Sequence, residues 1–334
     1  MKYRDAGVDS EGKARWLKEV AARLQATYTP QVLKGVGAFA GLFSAEALRA
    51  LSEPVLVATT DGVGTKVLLA LQLGAPEGLG RDLVHHCVND ILVQGARPLF
   101  FLDYLASAQL DPEILSTLLS SLADACQGEG IPLLAGETAE MPGVYREGAW
   151  DLVGTLVGVV ERGEIVDGQR VQPGDALLAL PSSGLHTNGY SLVRQLFSLE
   201  ELKVSRHELG GQSLAQALLV PHRSYRAPVE LLKRAGLEIR AMAHITGGGV
   251  AENLPRVLPP GLGALLWRES WKVPPLFELI AAAGVEEEEM FRVFNMGLGY
   301  LLVMPREAIE QAQQVLGEGF WVGEIVPEEG VRWR

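Results

Sequence analysis

Pro54-Val55-Leu56-Val57-Ala58-Thr59-Thr60-Asp61-Gly62-Val63-Gly64-Thr65-Lys66 joins an apolar run to a loop of glycines, threonines and one carboxylate. The run reads as a strand. The loop at its end holds the ingredients of a phosphate loop in the wrong order. A Walker A loop needs Gly, four residues, then Gly-Lys-Ser/Thr, so that backbone N–H groups wrap the phosphates. Here Lys66 follows Thr65, and Asp61 opens the segment. A carboxylate about 4 Å from a phosphate costs roughly 4 kcal/mol at an effective dielectric of about 20, and only a cation between them reverses the sign. If this loop meets a nucleotide, it is expected to do so through Mg²⁺.

Two further carboxylates stand where a core has no use for them. Asp90 lies on a helical pattern whose apolar face includes Leu83, Cys87 and Ile91, and Glu137 follows the strand-like Ile131–Gly136. Carboxylates rarely enter such surroundings unless paired or bound to metal, and hard oxygen ligands near a phosphate suit Mg²⁺. The plain alternative for each is a helix cap or an ion-pair partner. The glycines of Lys34–Gly41 read either as a turn or as a flap over a nucleotide, and Lys34 and Lys66 are candidates to neutralise phosphate. His85-His86-Cys87 is not spaced as a zinc site, because adjacent helical side chains point about 100° apart. Both histidines are expected to be structural.

Strands are expected near 54–60, 99–105, 131–135 and 152–160, with helices near 9–28, 80–95 and 111–128. Polar turns at 161–175 mark the boundary between a domain of residues 1–165 and one of residues 166–334. In the second, Pro181–Gly189 and Ala243–Gly249 each run from a strand into a helix. Such loops offer free N–H groups and a positive dipole end to a phosphate ester, or are ordinary tight turns. His186 and His244 are their polar handles, and either could orient or protonate a substrate. Glu286–Glu289 reads as a solvated helix start.

A chain of 334 residues with 48% hydrophobic content and 38 glycines describes a loop-rich globule with room for two domains. The absence of an apolar run of about 20 residues argues against a membrane span. The N-terminus lacks the apolar core of a signal peptide, and two cysteines demand no oxidising compartment, so the cytoplasm is expected. A net charge of −12 argues against a nucleic-acid partner.

Together these motifs resemble the phosphoribosylformylglycinamidine cyclo-ligase (AIR synthetase) family of purine biosynthesis. The resemblance rests on Tyr3–Asp9, Thr60–Lys66, Asn89-Asp90 with Gly95-Ala96 and Pro98, and Phe100–Tyr104. It continues through Gly136–Gly143, Ser183–Ser191, Thr246–Gly249, Asn253 with Pro255-Arg256, and Phe294-Asn295. It implies a two-domain α/β (α+β) fold with a C-terminal α/β sandwich. It further implies a homodimer whose N-terminal strands close a barrel across the two subunits. ATP and Mg²⁺ are implied as cofactors, with metal at Asp61, Asp90 and Glu137. ATP would lie against Gly35, Gly37, Gly41, Gly62, Thr65, Lys66, Asn89, Gly136, Glu137 and Thr138. The substrate phosphate would lie against Ser182, Ser183, Gly184, Asn188, Thr246, Gly247, Gly248 and Gly249. Asp61, Asp90, Glu137 and His186 are the implied catalytic set. Phosphoryl transfer needs positioning and charge neutralisation more than a protein nucleophile, which matches a chain of acids, glycines and amides.

Overall fold

The computed structural model describes residues 20–334. Tyr3–Asp9 and the first part of the helix expected over 9–28 lie outside them; residues 20–26 are helical (α1). The chain divides into two compact units. One comprises the described residues up to Ile91 together with Ala96–Gly163, and the other Leu92–Gly95 with Glu164–Arg334.

The first unit opens with a small antiparallel pair, β1 (Val32–Lys34) and β2 (Leu42–Phe43). Its main sheet holds β3 (Pro54–Gly62), β4 (Arg97–Ser107), β5 (Leu133–Glu140) and β6 (Trp150–Glu161), in the order β3-β6-β4-β5. Helices α2 (Lys66–Gln72), α3 (Leu79–Leu92) and α4 (Pro112–Glu129) complete it. Only β4 and β5 run parallel, and α4 makes the crossover that a parallel pair requires. Asp111 caps α4 by accepting from the N–H groups of Glu113 and Ile114, and left-handed Gly130 ends it.

Strand alternation gives this sheet two different faces. Phe101, Leu105, Leu152 and Leu156 are buried with the helices. The opposite face carries Ala58, Val157, Phe100 and Leu102, all part-exposed or exposed. Nearby Leu56 is 61% exposed.

The second unit is built on a sheet of order β12-β9-β11-β7-β10-β8. Its strands are β7 (Ala176–Pro181), β8 (Ala241–His244), β9 (Gly263–Leu266), β10 (Leu298–Met304), β11 (Phe320–Val326) and β12 (Gly330–Trp333). Helices α5 (Tyr190–Leu196), α6 (Leu199–Lys203), α7 (Leu214–Leu218), α8 (Arg226–Arg234), α9 (Gly249–Asn253), α10 (Pro275–Ala282), α11 (Glu287–Val293) and α12 (Ile309–Leu316) surround it. The unbroken apolar run of β7 reflects burial on both faces: Leu177 and Ala179 enter one core, Ala176, Leu178 and Leu180 the other. Glu286 precedes the first turn of α11, as the acidic run led one to expect, while β12, only four residues long, was not anticipated.

Candidate active site

Two columns of side chains on α3 organise the first unit. Leu83, Cys87 and Ile91 recur every four residues and press onto β6. Gly154 and Gly158 make that approach possible, since a Cβ at either would collide with Phe101 or with Ile91 and the Arg97 backbone. The column one residue earlier, Asp82, His86 and Asp90, lies about 100° round the helix and meets the end of β3 and the loop beyond it. Each member holds a different point of that segment. Asp82 Oδ1 receives Lys66 Nζ at 2.8 Å. His86 Nε2 lies 2.9 Å from Asp61 Oδ2. Asp90 Oδ2 accepts from Thr59 Oγ1 at 3.1 Å and lies 3.8 Å from His86 Nε2. Thr59 and Asp61, two apart on β3, share the face turned to α3.

Asp61 and Asp90 are thus brought together, with the His86 imidazole between them. Burial pushes the Asp61 carboxyl up, but the hydrogen bond and charge of His86, with the Gly62 N–H at 2.6 Å, outweigh it and hold the group below its ordinary value. Burial pulls His86 down, but the bond to Asp61 and the charges of Asp90, Asp61 and Asp82 carry it above the usual imidazole value. An imidazole held above its usual value between two carboxylates marks a place that favours positive charge, so the place suits a cation. The carboxylate side chains are 43% and 27% exposed, open enough to exchange water for ligand oxygens. This donor set fits a hard divalent ion.

Lys66 does not do what phosphate neutralisation would require. It is 1% exposed and its partner Asp82 is 0% exposed, so the ammonium is spent inside the fold. Burial lowers its proton affinity and Asp82 only partly restores it. Thr65 directly precedes α2, Gly62 ends β3, and Asn89 is fully buried on α3.

Glu137 stands apart from the other two acids. Asp61, Gly154, Asp103 and Gly136 form one row across β3, β6, β4 and β5. Glu137 is therefore three strand spacings from the Asp61 row, about 14 Å, and one residue past it on the opposite face. A single ion bound by all three carboxylates of one subunit is excluded by that spacing.

Glu137, Gly136 and Thr138 instead line a cavity of about 350 Å³ with Val36, Gly37, Ala38, Phe39 and Asp103. The glycine segment thus does meet the Gly136–Thr138 strand. Gly35 and Gly41 are explained by packing, since a Cβ there would strike Tyr28 or Leu134, while Gly37 has open space around it.

Asp103, which the sequence reading did not single out, is buried beside Glu137, and burial pushes its carboxyl up from 3.8 to about 7. Its folded value lies above its unfolded one. It therefore costs no stability below about pH 3.8, and the cost grows as pH rises toward about 7. Asp103→Asn should stabilise the protein more at pH 8 than at pH 5, by about 2–3 kcal/mol from the size of the shift. Urea denaturation at the two pH values checks this; a pH-independent change would refute it.

In the second unit the two small-residue loops converge. Asn188, Gly189, Gly247, Gly248, Glu252 and Arg292 are among the residues lining one cleft of about 380 Å³. Asn253 braces the Thr246–Gly249 turn: its Nδ2 donates to the carbonyls of Gly249 at 2.8 Å and Gly247 at 3.1 Å, and its Oδ1 accepts from Thr246 Oγ1. Planar peptides then turn the N–H groups of Gly248 and Val250 away from Asn253. Asn295 braces the other loop, accepting from Ser182 Oγ at 2.9 Å and donating to the Gly184 carbonyl at 2.9 Å. Ser183 Oγ donates to the Pro221 carbonyl at 2.7 Å. The hydroxyl protons of both serines are committed inside the protein. Helices α5 and α9 span only seven and five residues, so the dipole contribution expected of them is small.

His186 is wholly buried, behind its loop and not on its surface. It sits at φ 61°, uncommon for a residue with a side chain, and its Nε2 accepts the Ser183 N–H at 3.3 Å. His222 stacks on it at 3.9 Å and reaches His244 with Nε2 to Nε2 at 3.0 Å. Histidines from both loops are thereby tied through a third. Ring nitrogens of the three histidines lie within 4.8 Å of one another, but His186 Nε2 is engaged by the Ser183 N–H and the Nε2 atoms of His222 and His244 by each other. The arrangement supports a positioning role for His186 and His244. Sequence reading passed over His222, which no spacing connects to either loop. It also passed over Arg292, the cleft's cation.

Cys87 and Cys126 are buried free thiols, and burial pushes both well up, which removes them as nucleophiles. Among the described residues, no helix is long and apolar enough to cross a membrane.

Comparison with known proteins matches residues 44–160 to the AIR synthase related protein N-terminal domain and residues 172–334 to the corresponding C-terminal domain. Among curated relatives, the phosphoribosylformylglycinamidine cyclo-ligase of Synechococcus sp. (strain JA-2-3B'a(2-13)) is 49% identical over 98% of this chain and 94% of its own length. That of Gloeobacter violaceus is 47% identical over 100% of both. Among solved structures, thiamine-monophosphate kinase from Stenotrophomonas maltophilia superposes with a TM-score of 0.67 at 18% identity, over 94% of this chain and 95% of that one. Hydrogenase maturation protein HypE, solved in complex with ATP, gives 0.65 at 19% identity, over 96% and 88%. At such identities the structural likeness speaks for the fold alone.

Proposed function

The chain belongs to the AIR synthase related family, among enzymes named phosphoribosylformylglycinamidine cyclo-ligase, and from that premise we propose that it closes the imidazole ring of 5-aminoimidazole ribonucleotide at the expense of ATP. The observation that carries the ATP chemistry is the pair Asp61 and Asp90, held together by His86 at the mouth of β3. In this reading the formyl oxygen of formylglycinamidine ribonucleotide attacks the γ-phosphorus of ATP and ADP leaves. The amidine nitrogen then attacks the activated carbon, the C–O bond to phosphate breaks, and a proton is lost as the ring closes.

Bound at Asp61 and Asp90, Mg²⁺ would supply charge neutralisation for the polyphosphate. The chain's own groups supply position. Thr59 and His86 fix the two carboxylates, and Gly62 N–H fixes the rotation of Asp61. The cavity formed by Val36–Phe39 and Gly136–Thr138 is our candidate for nucleotide contact, with Glu137 its acidic group. For the substrate's ribose phosphate we assign the cleft between the Ser182–Asn188 and Thr246–Gly249 loops, which Arg292 lines. His186 positions the first of these loops from behind.

The direct test is ADP release from ATP and Mg²⁺ with and without formylglycinamidine ribonucleotide. Release should depend on the substrate and match the imidazole product mole for mole; substrate-independent hydrolysis would remove the reading.

The reading includes a homodimer in the cytoplasm. The face of the first sheet that carries Ala58, Val157, Phe100 and Leu102 is the apolar surface a second copy would cover. Val157→Asp should convert a dimer to a monomer in light scattering after size exclusion, leaving the far-ultraviolet circular dichroism unchanged. A variant that stays dimeric would move the interface elsewhere.

A further inference from the structure

Residues 220–225 cross from α7 to α8 without regular structure and form a strap behind the cleft of the second unit. Three hydrogen bonds tie the strap to the first loop. The Pro221 carbonyl accepts from Ser183 Oγ at 2.7 Å, and the Pro181 carbonyl accepts from Tyr225 OH at 3.0 Å and Arg223 Nη1 at 3.2 Å. Glu318 holds the Arg223 guanidinium through both carboxylate oxygens, which anchors the strap itself. His222 then joins one loop to the other. Its ring stacks on His186, two residues before Asn188, and its Nε2 lies 3.0 Å from Nε2 of His244, three residues before Gly247. One of these two nitrogens carries the proton and the other accepts it.

Space filling does not explain an imidazole here. His222 is 1% exposed, and a buried polar ring is costly unless its hydrogen bonds are made, so packing alone would be better served by phenylalanine. The stacking also bears on His186, whose left-handed backbone persists only where its surroundings hold it. Gly299 on β10 leaves the room, since a Cβ there would stand 2.8 Å from His186 Cε1 and closer still to the Tyr225 hydroxyl.

We infer that His222 is a positioning residue for the substrate: it locks the 182–189 and 246–249 loops to each other, so that the cleft between them is formed before a phosphate ester arrives. Such preorganisation acts on binding, because the ligand no longer has to order the loops. The inference rests on the assignment of that cleft to the ribose phosphate.

The test compares His222→Phe, which keeps a stacking ring but no ring nitrogen, with His222→Gln, whose amide nitrogen and oxygen can donate or accept near the place of Nε2. In steady-state assays of the full chain, His222→Phe should raise KM for formylglycinamidine ribonucleotide about 10–100-fold, the scale on which a slight misplacement acts. Its kcat and its KM for ATP should change far less, the mark of lost ground-state binding. His222→Gln should recover most of the loss. Two KM values that rise alike in His222→Phe, or a glutamine variant as impaired as the phenylalanine one, overturn the coupling. Arg292→Ala tests the cleft separately, on a side chain that is 69% exposed. If it raises KM for formylglycinamidine ribonucleotide and His222→Phe does not, the coupling falls and the cleft stands. If neither variant moves that KM, the cleft assignment falls and this inference with it. The wild-type protein gives a reading that needs no variant to fold. Adding formylglycinamidine ribonucleotide should shift the ring-nitrogen resonances of His222 and His244 together, and unchanged resonances overturn the inference.

Discussion

Lys66→Met should destabilise the first unit by about 3–5 kcal/mol, the cost of leaving a buried charge without its partner. Asp82 is 0% exposed and lies 2.8 Å from the Lys66 ammonium, so no water can take over the lost contact without opening the helix pair. The second half of the expectation separates this pair from a surface bridge. Replacing both partners, Lys66→Met with Asp82→Leu, should recover most of the loss, because two apolar side chains of similar volume carry no desolvation penalty. Urea denaturation of the two single variants and the double variant measures the coupling directly. Equal losses in single and double variants would show that packing, not charge, holds α2 against α3.

Asp61→Asn and Asp90→Asn should each lower turnover by about 10²–10³-fold or more, in the range found when one preorganised electrostatic group is removed from a reaction centre. Asparagine keeps the shape of each side chain and can still accept the bonds from Gly62 N–H or Thr59, so the fold should persist. What disappears is the negative charge that brings a cation to the phosphates. The decisive measurement is steady-state ADP production together with a thermal melt. A melt within a degree or two of wild type with collapsed activity supports the assignment, and wild-type rates in both variants would end it.

Much of this architecture could be read from the chain. The strands over 54–62, 97–107 and 150–161 follow from apolar runs bounded by turn residues, and α3 and α4 from four-residue spacing. The convergence of the 182–189 and 246–249 loops was foreshadowed by two strand-to-helix turns of small residues. The failures have a common cause, which is that pairing across the fold leaves no local mark. Lys66 looks like any lysine in a glycine loop until Asp82, sixteen positions on, is brought beneath it. His86 and Asp90 show their shared face in their spacing, but the third member, Asp61, comes from a strand that only the packing of α3 on Gly154 places there. Glu137 was grouped with Asp61 by residue type. Strand parity and sheet order separate them, and neither is visible before the partner strands are known.

The column Asp82, His86 and Asp90 has a consequence for how this sequence can change length. One rigid helix fixes three successive points of the segment from Thr59 to Lys66. Adding or deleting a single residue between positions 83 and 85 would rotate His86 and Asp90 by about 100° relative to Asp82. It would release two of the three anchors at once and swing Cys87 and Ile91 off the sheet. Leu73–Gly78, a short connection between α2 and α3, bears no such constraint and can lengthen at small entropic cost. Homologous chains should therefore accumulate insertions in that connection and keep the length of α3 invariant, so the helix acts as the molecule's ruler, and its residue count, more than the identity of most of its residues, is what descent has to preserve.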